Sequence, residues 1–120
     1  NDTRESAAIY VADYLLNEQA EIVVYDPKVT KEQIYSDLDY LGSRSGDANR
    51  QAVTVVNSAF DACKDAHAVA ILTEWDEFKE LDWQKIHDQM LKPAFLFDGR
   101  RLLESKTLNE IGFEFYAIGN

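Results

Sequence analysis

Apolar positions recur along this chain in two alternating rhythms. Ala8, Val11, Ala12, Leu15 and Gln19 fall on one helical face, and Asp2 and Glu5 precede them at the spacing of a capping box. This predicts a helix over 5–19. Glu21-Ile22-Val23-Val24-Tyr25-Asp26 is a short β-branched run that stops at Pro27, the mark of a buried strand. Thr30 and Gln33 form a second capping box, and Ile34, Leu38 and Leu41 follow at helical spacing, predicting a helix over 31–41. The polar, glycine-bearing stretch 42–52 reads as a mobile loop.

Beyond it the alternation resumes. A strand is expected at 53–56, then a short helix from Ser58 to about Lys64, then the most apolar strand at 67–72. Two short helices follow near 76–80 and 82–91, the second stopped by Pro93. A strand at 94–97, a turn at Asp98-Gly99-Arg100-Arg101, a brief helical turn at 108–112 and a strand at 113–118 complete the chain. Strands without polar alternation, separated by amphipathic helices, imply a parallel sheet covered on both faces. The expected fold class is therefore α/β, a Rossmann-like three-layer sandwich with five parallel strands. Such folds usually begin with a strand, and this sequence begins at a helix cap. A first strand is therefore expected upstream of Asn1, between strands 22–26 and 67–72, and these two should share no ladder.

Composition narrows the function classes. The 120 residues fit one domain, and 46% hydrophobic with 28% charged residues excludes a disordered chain. Twelve basic residues against 22 acidic ones give a formal charge of −10, which disfavours nucleic-acid or anionic-membrane partners. A local basic spot can still take one phosphate ligand. Cys63 is the single cysteine, so no internal disulfide forms, in keeping with a reducing, cytoplasmic setting. No apolar segment reaches the ~20 residues needed to span a bilayer. The chain opens without an initiator Met or a hydrophobic signal core, as a fragment or a processed chain would.

In open parallel sheets ligands sit beyond the C-terminal strand ends. Those ends carry Asp26, Asn57, Thr73-Glu74-Trp75 and Asp98-Gly99-Arg100-Arg101. In the last of these Gly99 would allow a tight turn at positive φ. The two arginines after it offer planar forks suited to phosphate oxygens, or to a neighbouring Asp or Glu. Arg4 lies at a helix start, where backbone N–H groups attract anions; it could equally pair with Asp2 or Glu5. Asp26 stands where a dinucleotide fold keeps its ribose-binding acid, yet no G-x-G-x-x-G occurs, which favours a turn whose carboxylate bonds nearby backbone. Cys63 on an apolar helix face reads as structural, as do the unclustered His67 and His87, and no metal site is expected. Trp75, Phe78, Leu81 and Trp83 are expected to pack together.

Several blocks carry a resemblance that runs over essentially the whole chain. They are Asp2-Thr3-Arg4-Glu5-Ser6, Tyr25-Asp26-Pro27-Lys28, Ala62-Cys63-Lys64-Asp65-Ala66-His67-Ala68-Val69, Thr73-Glu74-Trp75, Lys92-Pro93-Ala94-Phe95 and Phe97-Asp98-Gly99-Arg100-Arg101. Together they resemble the C-terminal UDP-binding domain of the UDP-glucose/GDP-mannose dehydrogenase family, over residues 1–120, and among its members those that oxidise UDP-glucose. The resemblance implies a module of an enzyme that converts UDP-glucose to UDP-glucuronate with two NAD, through a cysteine nucleophile that lies outside this sequence. Cys63 does not match that motif, so no catalytic residue is assigned. By motif, Arg100 is implied to bind the UDP-sugar and Arg4 to contact NAD. The implied partners are NAD-binding and central domains of the same chain and a homo-oligomer, with the isolated fragment inactive. A GDP-mannose or UDP-aminosugar dehydrogenase is the near alternative. A receiver-like signalling domain fits the length and acidity, but Lys92-Pro93 precedes a strand rather than following one and no Asp-Asp pair occurs. A non-catalytic interaction module would predict no nucleotide binding.

Overall fold

The computed structural model describes residues 7–118. The chain divides into two compact units, Asn1–Ser58 and Ala59–Asn120. Arg4 and the Asp2–Glu5 capping box lie outside the described residues.

In the first unit the order is α1 (Ala7–Asn17), β1 (Ile22–Val24), α2 (Lys31–Leu41), α3 (Gly46–Ala52) and β2 (Val53–Val55). β1 and β2 pair in parallel, with Ile22 opposite Val53 and Val24 opposite Val55. Parallel neighbours need a crossover, which α2 and α3 supply. The core gathers Ile9 and Leu16 of α1, Ile34, Tyr35 and Leu38 of α2, and Val53 of β2. α1 therefore buries a face one residue away from the expected one, and Leu15 is exposed. Ile9 and Leu16 stand two turns apart and bring more apolar area inward than Ala8 and Leu15 would. Thr30 caps α2 by accepting from Gln33 N at 3.1 Å, as expected. The Gln33 side chain does not close the box; it donates to Asp37 Oδ1 at 2.7 Å.

The stretch 42–52 is not a mobile loop. Gly42, at φ 72°, ends α2 in the left-handed region, and Ser45 caps α3 by accepting from Ala48 N. A polar network then locks the segment. Arg44 donates to Asn49 Oδ1 at 2.8 Å and Asn17 Oδ1 at 2.7 Å and pairs with Asp13 at 2.9 Å. Asn49 is fully buried and donates to Asp39 Oδ1 at 2.8 Å. Arg50 pairs with Asp39 and lies over the Tyr35 ring, while the Tyr35 hydroxyl donates to Val53 O at 2.7 Å.

In the second unit the order is α4 (Ala59–Cys63), β3 (Ala68–Ile71), a 3-10 helix (Asp76–Glu80), α5 (Trp83–Gln89), β4 (Phe95–Asp98), α6 (Ser105–Ile111) and β5 (Glu114–Ala117). The three strands form one parallel sheet in the order β3-β4-β5. Leu96 is fully buried at its centre, with Ile86, Leu108 and Phe113 among the other buried apolar residues. Trp83 meets Phe113 edge-on and donates its indole N–H to Phe78 O at 3.1 Å, so the expected aromatic cluster extends to the approach of β5. α6 is a full helix where only a brief turn was expected, ended by Gly112 at φ 121°.

All five expected strands are present and parallel, each within two residues of its expected bounds.

Candidate functional site

The loop that leaves β4 carries the most developed local chemistry. Asp98 is fully buried at the end of the strand, and its carboxylate faces its own chain. Oδ1 accepts from Arg100 N at 3.1 Å and Oδ2 from Leu103 N at 2.8 Å. A buried carboxylate that takes two backbone N–H groups has its charge compensated and fixes the loop around it. Gly99 N donates to Ile71 O at 2.9 Å, which ties the loop to the end of the adjacent strand β3. A Cβ at position 99 would stand 3.0 Å from that carbonyl oxygen, so the glycine is there for close approach. The expected positive φ falls instead on Arg101, at 55°.

Arg100 is thus presented from a fixed backbone at the C-terminal rim. Its guanidinium is not unblocked, since Nη2 is ion-paired with Glu74 Oε1 from the loop after β3. The side chains are 44% and 56% exposed, so the pair is screened by solvent. The Thr73-Glu74-Trp75 and Asp98-Gly99-Arg100-Arg101 blocks, 26 residues apart in sequence, therefore meet through one side-chain contact. Trp75, next to Glu74, has a buried indole N–H without a hydrogen-bond partner among the described residues.

The first unit has its own rim. An open cavity of about 340 Å³ lies beyond the ends of β1 and β2, lined by Tyr25, Asp26, Pro27, Thr30, Lys31 and Asn57 among others. Asp26 is committed to its turn, with Oδ1 accepting from Lys28 N at 2.7 Å, as the turn reading predicts.

The remaining candidates have structural settings. Cys63 is buried, and loss of hydration pushes its thiol up to about 11, which keeps it protonated and inert. His87 packs edge-on against Phe113 with ring centroids 4.9 Å apart. Among the described residues no group of three or more His, Cys, Asp or Glu could hold a metal, and no helix is long and apolar enough to cross a membrane.

Two residues of this contact network, Glu74 and Asp98, have no role assigned from the sequence. Glu74 is visible as a strand-end acid, but its partner lies in the loop after the neighbouring strand β4, which only the sheet order reveals. Asp98 had a local signal: an Asp before Gly at a strand end is the composition of a turn closed by its own carboxylate.

A family model described as the UDP-glucose/GDP-mannose dehydrogenase family, UDP binding domain, matches residues 1–105. The chain is 51% identical to the UDP-glucose 6-dehydrogenase of Bos taurus, over 98% of this chain and 24% of that protein. To UDP-glucose 6-dehydrogenase 4 of Arabidopsis thaliana it is again 51% identical, over 98% of this chain and 26% of that protein. It thus spans about a quarter of the length of the curated relatives it matches. A solved structure of a UDP-D-ManNAc dehydrogenase from Pyrococcus horikoshii superposes with a TM-score of 0.50 at 18% identity, over 93% of this chain and 29% of that one; the likeness is one of fold.

Proposed function

Because the chain belongs to the UDP-glucose/GDP-mannose dehydrogenase family, we propose that it serves as the UDP-binding module of an enzyme that oxidises UDP-glucose to UDP-glucuronate. Arg100 is the residue that takes the UDP-sugar, through a phosphate oxygen. The observation that carries this reading is the way Arg100 is held: a fixed backbone, a rim position and a half-exposed guanidinium. A hydrogen bond from a charged group to a phosphate oxygen is worth ~1.5–3 kcal/mol. A guanidinium carries five N–H donors, so a phosphate oxygen can meet it beside the Glu74 contact at Nη2.

NAD is the proposed cofactor of the whole enzyme, with Arg4 facing it. The sequence holds no G-x-G-x-x-G cradle, so this chain's own described residues contribute no dinucleotide site to the reading. The proposed partners are NAD-binding and central domains of the same polypeptide and further copies of it in a homo-oligomer. A cytoplasmic location suits a lone, buried, reduced cysteine. The names of the relatives favour UDP-glucose over GDP-mannose or a UDP-aminosugar as substrate.

The test is Arg100→Ala in the full-length enzyme. UDP-glucose should bind more than about tenfold more weakly, since ~1.4 kcal/mol is tenfold. An unchanged dissociation constant would remove Arg100 from the site. Arg4→Ala should raise the KM for NAD and leave UDP-glucose binding in place.

A further inference from the structure

We propose that Glu74 is a positioning residue for Arg100: it holds the guanidinium at the rim in the orientation that meets a nucleoside diphosphate. The inference deepens the reading of Arg100 as a phosphate-binding residue and rests on it. Arginine carries about 2 kcal/mol of rotamer freedom, and immobilising such a side chain on binding costs ~0.5–1.5 kcal/mol. A fixed backbone does not remove that cost. Asp98 and Gly99 set where the chain of Arg100 starts, through the contacts to Arg100 N, Leu103 N and Ile71 O. They leave its four side-chain torsions open. Its guanidinium meets Glu74, which accepts from Nη2 through Oε1.

The location of the pair favours positioning over folding. Both side chains are about half exposed, so the pair contributes little to stability. Glu74 leaves from the strand next to the one that delivers Arg100, and Gly99 N is bonded to the end of that same strand. The two ends of the contact are therefore set by one stretch of sheet and cannot drift apart independently. In a chain with a net charge of −10, an acid beside a phosphate ligand lowers affinity through its field. Pre-ordering of the guanidinium must exceed that penalty for Glu74 to help.

The experiment is UDP binding by the full-length dehydrogenase, in the parent and in Glu74→Ala, Glu74→Gln, Arg100→Ala and Glu74→Ala/Arg100→Ala forms, with thermal midpoints recorded alongside. Glu74→Ala should weaken UDP binding roughly three- to tenfold at an unchanged midpoint. Glu74→Gln, which keeps an acceptor oxygen at the same reach, should return to within about twofold of the parent. In the Arg100→Ala background, Glu74→Ala should weaken binding no further, and loss of the carboxylate's field should leave it equal or slightly tighter. UDP binding as tight as the parent or tighter in Glu74→Ala would overturn the proposal and make Glu74 a competitor. So would a Gln variant as weak as the Ala variant, or an equal weakening in the Arg100→Ala background. If Arg100→Ala alone leaves UDP binding unchanged, the phosphate-binding reading of Arg100 fails, whatever Glu74 does.

Discussion

Asp98 concentrates in one side chain what the β4 loop needs. It has no exposed surface, and its two oxygens hold Arg100 N and Leu103 N. Asp98→Ala removes both acceptors and leaves two N–H groups to find water. We expect a stability loss of about 2–4 kcal/mol in chemical denaturation, with UDP affinity falling in step. Asp98→Asn keeps one acceptor and should lie between. A fully stable Asp98→Ala protein would show that the loop is held by something else. Cys63 gives the opposite kind of prediction. A buried thiol pushed up to about 11 holds almost no thiolate near neutrality, so iodoacetamide should not modify it until the protein is denatured. Rapid alkylation of the native chain would contradict that setting. Both residues show what could be read without coordinates. The apolar neighbours Ala59 and Ala62 already marked Cys63 as structural. Asp98, by contrast, shows in the sequence only the Asp-Gly composition of a turn; which backbone N–H groups it takes, Arg100 N and Leu103 N, no sequence pattern displays.

At the level of elements, legibility followed the source of the binding energy. α2 was found with its bounds intact, since Thr30, Ile34, Leu38 and Leu41 announce it by cap and by period. α3 was missed because its packing is polar: Ser45, Asn49 and Arg50 satisfy Ala48 N, Arg44 and Asp39 rather than filling an apolar stripe. Hydrophobic periodicity cannot see a helix held this way. α1 was seen but turned by one residue, because alanines score as apolar yet bury little. The α3 network also has a pH signature. The carboxyl of Asp39 is held below its ordinary value of 3.8, chiefly by the Asn49 amide; burial opposes this as the next largest effect, and Arg50 adds smaller lowering contributions. A lowered folded pKa gives stability that is present above the ordinary value and lost as pH falls through the folded one. Asn49→Ala removes the largest cause and leaves Arg44 short of an acceptor. It should destabilise the protein by roughly 1–3 kcal/mol near neutral pH. The gap between parent and variant should narrow below about pH 4, as measured by denaturation midpoints across pH. A gap that stays constant would disconnect Asp39 from α3.

At the scale of the whole molecule, the fold class was legible because five apolar runs and their intervening helices force parallel pairing. The pairing of Glu74 with Arg100 was not, because it depends on which strands are neighbours. The same scale bounds the chemistry. The sequence has no G-x-G-x-x-G, and its one cysteine is buried and protonated. The isolated 120-residue chain, given UDP-glucose and NAD, should therefore produce no NADH. UDP-glucose-dependent NADH formation by this chain alone would mean that its residues hold a reactive centre not identified above.

The division at Ser58 also sorts the chromophores. Both tryptophans, Trp75 and Trp83, belong to Ala59–Asn120, and Asn1–Ser58 has none. Emission excited at the red edge, where tyrosine does not absorb, is then a private signal of the second unit. Circular dichroism in the far ultraviolet sums the helices of both. Overlaid melting curves from the two methods would report a single cooperative transition, and separated ones would time the two halves of the chain against each other without any label.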